Sequence, residues 1–207
     1  MRYNTCMTSH AYTTIFFDWG GVLATDPGDD FLRDLLANVG AEPAQIEEIY
    51  ETYMRRFMRG ELSESQYWQE LREKYGLNIH DSISEEFKKW RGLAANEAVL
   101  QLVAEAKEHG LKTAVLSNVI EPTYNVIASA GYYDRFDDVI ASWQVGSAKP
   151  EPEIYTIALQ RLGVTAQESV FIDDKQKCLD PAAAMGFKTI LAQNPEQIVR
   201  DVRACWS

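Results

Sequence analysis

The chain has 207 residues and a formal charge of −11, from 20 Lys and Arg against 31 Asp and Glu. A chain of this length buries roughly 70% of its unfolded surface, so its core needs no metal or disulfide staple. With 46% hydrophobic and 25% charged residues it is neither disordered nor of low complexity. The acidic excess speaks against a nucleic-acid partner, whose polyanion calls for clustered Lys and Arg.

In chain order, Thr13 to Phe17 is a β-branched and aromatic run that ends in Asp18 and breaks at Gly20 and Gly21, which reads as a buried strand with Asp18 at its tip. From Asp29 to about Trp90 the pattern is helical only. Ile46, Ile49, Tyr53 and Phe57 recur near helical spacing, and Ser63 to Gln66 resembles a capped start for a helix carrying Tyr67, Trp68 and Leu71. Helices and strands then alternate: helix Glu97 to His109, strand Thr113 to Leu116, helix Pro122 to Ala130, strand Val139 to Ala141 and helix Glu151 to Leu162. Strand Val170 to Ile172, helix Cys178 to Met185, strand Thr189 to Leu191 and helix Pro195 to Val202 complete the series. Such alternation implies a parallel sheet with helices on both faces. The expected fold is therefore a doubly wound α/β sheet, Rossmann-like, with a helical insertion after strand one. Residues 1–26 and 95–207 would form the core, and residues 27–94 the insertion.

Open α/β sheets bind ligands beyond the carboxyl ends of their strands. The four tips here carry Asp18; Ser117 and Asn118; Lys149, in Gly146-Ser147-Ala148-Lys149-Pro150-Glu151-Pro152; and Asp173 with Asp174. Three carboxylates brought together would repel one another unless a divalent cation and the Lys149 ammonium neutralise them. Hard oxygen donors of this kind suit Mg²⁺, which also accepts a substrate phosphate.

These four segments, in this order, resemble the four motifs of the haloacid dehalogenase superfamily, phosphatase-like branch, and the insertion sits where that family carries its type-one helical cap. The resemblance implies that Asp18 is the nucleophile, that Ser117 holds a phosphoryl oxygen, and that Lys149 pairs with both. It implies that Mg²⁺ is held by Asp18, Asp174 and the Gly20 carbonyl, with Asp173 supporting through water. Trp19, Gly21 and Asn118 are the expected substrate contacts. The implied activity is Mg²⁺-dependent hydrolysis of a small phosphorylated metabolite, a sugar phosphate first among them, through an aspartyl phosphate. Two other readings stand beside it: a noncatalytic binder of phosphorylated ligands, and a 2-haloacid dehalogenase, against which the pair Asp173-Asp174 counts.

One position departs from the family pattern. Its phosphatases usually place a second Asp two residues after the nucleophile, as acid and base for the leaving group, and this chain has Gly20 there. Asp26, Asp29 or a cap residue are the candidates to replace it. Other features have structural readings. Tyr50, Tyr53, Phe57, Tyr67 and Trp68 read as core of the insertion, and His109 as a charge suited to a helix C-terminus. Trp19 and Trp143 read equally as core or substrate contact, and Arg55, Arg56 and Arg59 as a solvated face or a contact to a distal substrate group. Cys6, Cys178 and Cys205 are odd in number and lack metal-ligand spacing, so they read as reduced thiols. With no signal-peptide pattern in the first residues and no 18-residue apolar span, the expectation is a cytoplasmic protein with no membrane partner.

Overall fold

A computed structural model describes residues 12–25, 30–80 and 94–206. Five parallel strands form one sheet in the order β3-β2-β1-β4-β5: β1 Thr14–Phe17, β2 Lys112–Ser117, β3 Asp138–Ala141, β4 Ser169–Asp173 and β5 Lys188–Leu191. Strand one thus lies at the centre, with the chain returning to either side of it, as expected of a doubly wound sheet. The alternation of side chains along each strand divides the core into two layers. Ile15, Phe17, Val115, Val170 and Ile172 face one side, where helices Glu97–Glu108 and Pro195–Arg203 cover them. Phe16, Ala114, Leu116 and Phe171 face the other, under helices Pro152–Leu162 and Gln176–Met185. Both faces of β1 are therefore dry, and only its carboxyl end opens toward polar groups.

Between β1 and β2 the described residues are helical, with no strand. Helix α1 (Asp30–Asn38) is followed by α2 (Pro43–Glu48), a π-helical turn (Ile49–Met54), α3 (Arg55–Met58) and α4 (Glu64–Tyr75). The anticipated face is present: Ile46, Ile49, Tyr53 and Phe57 are buried together with Tyr67, Trp68 and Leu71. The π-helical turn itself leaves no mark in the residue pattern. Ser63 caps α4 as expected, its hydroxyl accepting from the Gln66 amide while the Gln66 side chain accepts from the Ser63 amide. Residues 30–80 have their own apolar cluster, in which Ile120 is the single member from the sheet region. The chain leaves and re-enters the sheet region at one place: Thr25 N donates to Ala94 O at 3.0 Å and Asn96 N to Leu23 O at 2.8 Å.

The remaining helices are α5 (Glu97–Glu108), α6 (Glu121–Ser129), α7 (Ser142–Val145), α8 (Pro152–Leu162), α9 (Gln176–Met185) and α10 (Pro195–Arg203). The single-turn α7 and a 3₁₀ turn at Ala166–Glu168 escaped the periodicity argument, because one turn is too short to show a period. His109 lies at the C-terminal end of α5, as anticipated, and stacks on Trp206 with ring centroids 5.6 Å apart. Cys178 and Cys205 are buried free thiols. Burial pushes the Cys178 thiol up to about 12, so it stays neutral at pH 7. Cys6, Asp26, Asp29 and residues 81–93 of the insertion lie outside the described residues.

Candidate active site

Sheet register assembles the site. Phe17 pairs with Ile172 across β1 and β4, and Asp18 N donates to Ile172 O at 2.9 Å, so one step further Asp18 stands beside Asp173. Ser117, which pairs with Ala141 across β2 and β3, ends the strand on the other flank. Asp18, Asp173 and Asp174 each offer a carboxylate oxygen within 4.8 Å of the others. Lys149 reaches between two of them, its Nζ 2.9 Å from Asp18 Oδ1 and 2.6 Å from Asp173 Oδ2. Its side chain is 1% exposed, and that of Asp173 is 0% exposed.

Removing such charges from water costs several kcal/mol per ion, and apolar residues of like size would stabilise a sheet end at least as well. The cluster is thus a poor source of stability for the fold. Burial is the largest influence on Asp18: it raises the carboxyl to about 6, Asp173 adds to the rise, and Lys149 and the Ser117 hydroxyl oppose it. Lys149 stays charged: burial works against its ammonium, but Asp18 and Asp173 outweigh that and hold its pKa above the ordinary value. Three carboxylates against one ammonium leave net negative charge in a site made only of oxygen donors. That donor set fits a hard divalent cation, Mg²⁺ among them.

Local structure holds each group in place. After Asp18 the chain folds back at once, with Leu23 N and Ala24 N both donating to Trp19 O at 2.9 Å. Gly21 has φ +73°, and a Cβ there would stand 2.5 Å from Asp174 Cγ. Only glycine allows the Asp174 carboxylate to lie against this loop. Asp173 Oδ1 accepts from Lys175 N at 2.8 Å, so its two oxygens are taken by Lys149 and by the entry to α9. Asn118, expected as a substrate contact, also bonds within the chain. Its Nδ2 donates to Lys149 O and its Oδ1 accepts from Lys149 N, both at 2.8 Å, so its amide holds the lysine's backbone. Trp19 is buried, edge-on to Tyr132 and Tyr133 with centroids 5.6 and 5.4 Å away, which favours its core reading.

Of the three arginines, Arg55 pairs with Glu51 and Arg56 with Glu70, both inside the insertion. Arg59 instead crosses to Glu151, two residues after Lys149. Two structural groups were missed in the sequence. Ser142 Oγ accepts from Val119 N at 3.0 Å and donates to Val119 O at 3.2 Å, fixing the loop after Asn118. Glu151 accepts from Ser147 Oγ and from Ala148 N, each at 3.1 Å. The segment around Lys149 was the signal for Glu151, but an acidic residue before a helix proline suggests only a cap.

The sequence pattern of the haloacid dehalogenase-like hydrolases matches residues 12–186, and the chain belongs to that family. It is 28% identical over 213 residues to acyl-CoA dehydrogenase family member 10 of Mus musculus, covering 94% of this chain but 19% of that protein. It is 28% identical over 181 residues to the sesquiterpene phosphatase astK of Aspergillus oryzae, covering 84% of this chain and 87% of that one. Among solved structures, a HAD family enzyme from Bacteroides thetaiotaomicron, crystallised with magnesium and inorganic phosphate, superposes with a TM-score of 0.72 at 21% identity. That superposition covers 88% of this chain and 96% of the other, and it bears on the fold alone. Among the described residues no helix is long and apolar enough to cross a membrane.

Proposed function

We propose that the protein is a Mg²⁺-dependent phosphomonoesterase acting on a small phosphorylated metabolite, with residues 27–94 serving as a cap over the strand tips. The observation that carries this reading is the convergence of Asp18, Asp173 and Asp174 within 4.8 Å, bridged by a buried Lys149. Asp18, Asp174 and the Gly20 carbonyl would hold the metal, and Asp173 would keep Lys149 in place. When bound, the cation offsets the like-charge repulsion between carboxylate and phosphate, about 4 kcal/mol per charge pair at ~4 Å and an effective dielectric near ~20.

In this reaction an Asp18 oxygen attacks phosphorus and the bond to the ester oxygen breaks, leaving the phosphoryl group on Asp18 and releasing the alcohol. Water then attacks the same phosphorus and returns Asp18 as a carboxylate with free phosphate. Lys149 and the Ser117 hydroxyl steady the charge on the transferred group through both steps. Asn118 contributes by fixing the Lys149 backbone, and Gly21 by admitting Asp174. Gly20 itself offers no proton, so unless Asp26, Asp29 or a cap residue supplies one the leaving group takes it from solvent, and esters of acidic alcohols are then the faster substrates.

The test is phosphate release from p-nitrophenyl phosphate, a sugar 1-phosphate, glyceraldehyde 3-phosphate and a terpenyl monophosphate, with Mg²⁺ and with chelator. Metal-dependent turnover that is lost in Asp18→Asn supports the reading. Ligand binding without turnover on any ester would instead favour the noncatalytic binder that Gly20 suggests, and chloride release from a 2-haloacid in chelator would favour the dehalogenase. Gly20→Asp should raise rates about 10- to 100-fold on alkyl esters and less on the aryl ester. Equal gains would discard the leaving-group argument.

A further inference from the structure

The loop that carries Lys149 is held from two directions. Asn118 clasps the Lys149 backbone on the sheet side. On the other side Glu151 braces Ser147 and Ala148 through Oε2, while its Oε1 accepts from Arg59, the residue that ends α3 in the insertion. Glu61, 3.7 Å from Arg59, is the other acidic group at this junction, and it also faces Arg56. Next to Arg59, Gly60 has φ +69° and lies so close to the Trp143 carbonyl that a side chain would collide with it. The insertion therefore meets the sheet region at a tight, glycine-permitted contact where the Arg59–Glu151 ion pair ends on the brace of the Lys149 loop.

We infer that Arg59 is a positioning residue for the reaction: by pairing with Glu151 it couples the seating of the insertion to the placement of Lys149 between Asp18 and Asp173. The coupling runs through one side chain. Glu151 gives one oxygen to Arg59 and the other to Ser147 and Ala148, so a shift of Arg59 moves the carboxylate that fixes the Ala148 amide, one peptide from the lysine. Seating the insertion then sets the ammonium in its working position, and lifting it loosens the loop. Neither a solvated face nor a contact to a distal substrate group, the two readings from sequence, describes this role, in which Arg59 acts from outside the reacting atoms. This inference rests on the role proposed above for Lys149, and its structural half is testable without any turnover.

The experiment compares the native chain with Arg59→Met, Glu151→Gln, their double variant and Arg59→Lys. Amide hydrogen exchange at Ala148 should quicken about tenfold in Arg59→Met and in Glu151→Gln, while the amides of Val170 to Ile172 in β4 keep native rates. With p-nitrophenyl phosphate and Mg²⁺, each single variant should lose about tenfold in kcat with KM within about twofold, and the double variant should be no slower than either single one. Arg59→Lys should restore most of the loss, since an ammonium also reaches Glu151. Unchanged exchange at Ala148 in both single variants, or losses that multiply in the double variant, would overturn the inference. Absence of turnover in the native chain would overturn the proposed activity instead, and the exchange data would still decide the coupling.

Discussion

The two regions of this molecule solve burial in opposite ways. Among the described residues, every buried polar or charged side chain lies in the sheet region: Asp18, Ser117, Lys149 and Asp173 at the strand tips, and Thr14, Thr113, Ser142, Ser147, Ser169 and Gln197 around them. Residues 30–80 bury only aliphatic and aromatic groups and keep their charges outside, in pairs such as Arg33 with Glu47 and Lys74 with Glu48. The sheet region gives up stability to hold an ionised cluster in a dry place. The insertion is packed for cohesion. Electrostatic tuning and packing strength are thus separate properties of one chain, and substitutions in the two regions should differ in sign as well as in size.

The largest effect is expected at the proposed nucleophile. Asp18→Asn should lower phosphate release by more than about 10³-fold, because no other carboxylate takes its place in attack. The same variant should be more stable than the native chain. The native carboxyl, raised to about 6 chiefly by burial, holds its proton in the folded state where the unfolded chain has released it near 3.8. The folded state therefore binds more protons between these values, and native stability falls as pH rises through that window. In metal-free buffer, urea denaturation should show the stability of Asp18→Asn relative to the native chain rising between pH 4 and pH 8. A destabilised Asp18→Asn at pH 8 would erase the contrast between the regions.

Phe57→Ala tests the other side of the contrast. Phe57 is buried and stacked on Tyr67 with centroids 4.9 Å apart, so its truncation should cost about 3–5 kcal/mol, independent of pH between 5 and 8. Smaller effects sharpen the picture. Ser63→Ala removes the cap of α4 and should cost about 1 kcal/mol. The Tyr67 hydroxyl is buried with no hydrogen-bond partner among the described residues, so Tyr67→Phe should leave stability unchanged or raise it by about 1 kcal/mol. A marked loss in Tyr67→Phe would show that the interior of the insertion has a polar requirement after all.

Much of this was legible in the residues. Period-two and period-3.6 patterns are local, and they marked each strand and most helices to within two residues. The chemistry of the tips was legible too, since strand ends in a parallel sheet share one edge and the residue types at those ends can be read off directly. The sequence by itself placed Asp18, Ser117 and Asp174 at strand ends on that edge, with an apolar helical block beside them, whereas Lys149 reaches it from a loop beyond α7. Only the tertiary structure decided what each neighbour does there: that Asn118 is spent on the Lys149 backbone, that both Asp173 oxygens are occupied, that Gly21 makes room for Asp174, and that Arg59 reaches Glu151. The physical reason is range. Hydrophobic periodicity is written along a few consecutive residues, whereas a hydrogen bond between residues 118 and 149, or an ion pair between 59 and 151, depends on register and seating that no local stretch of chain encodes.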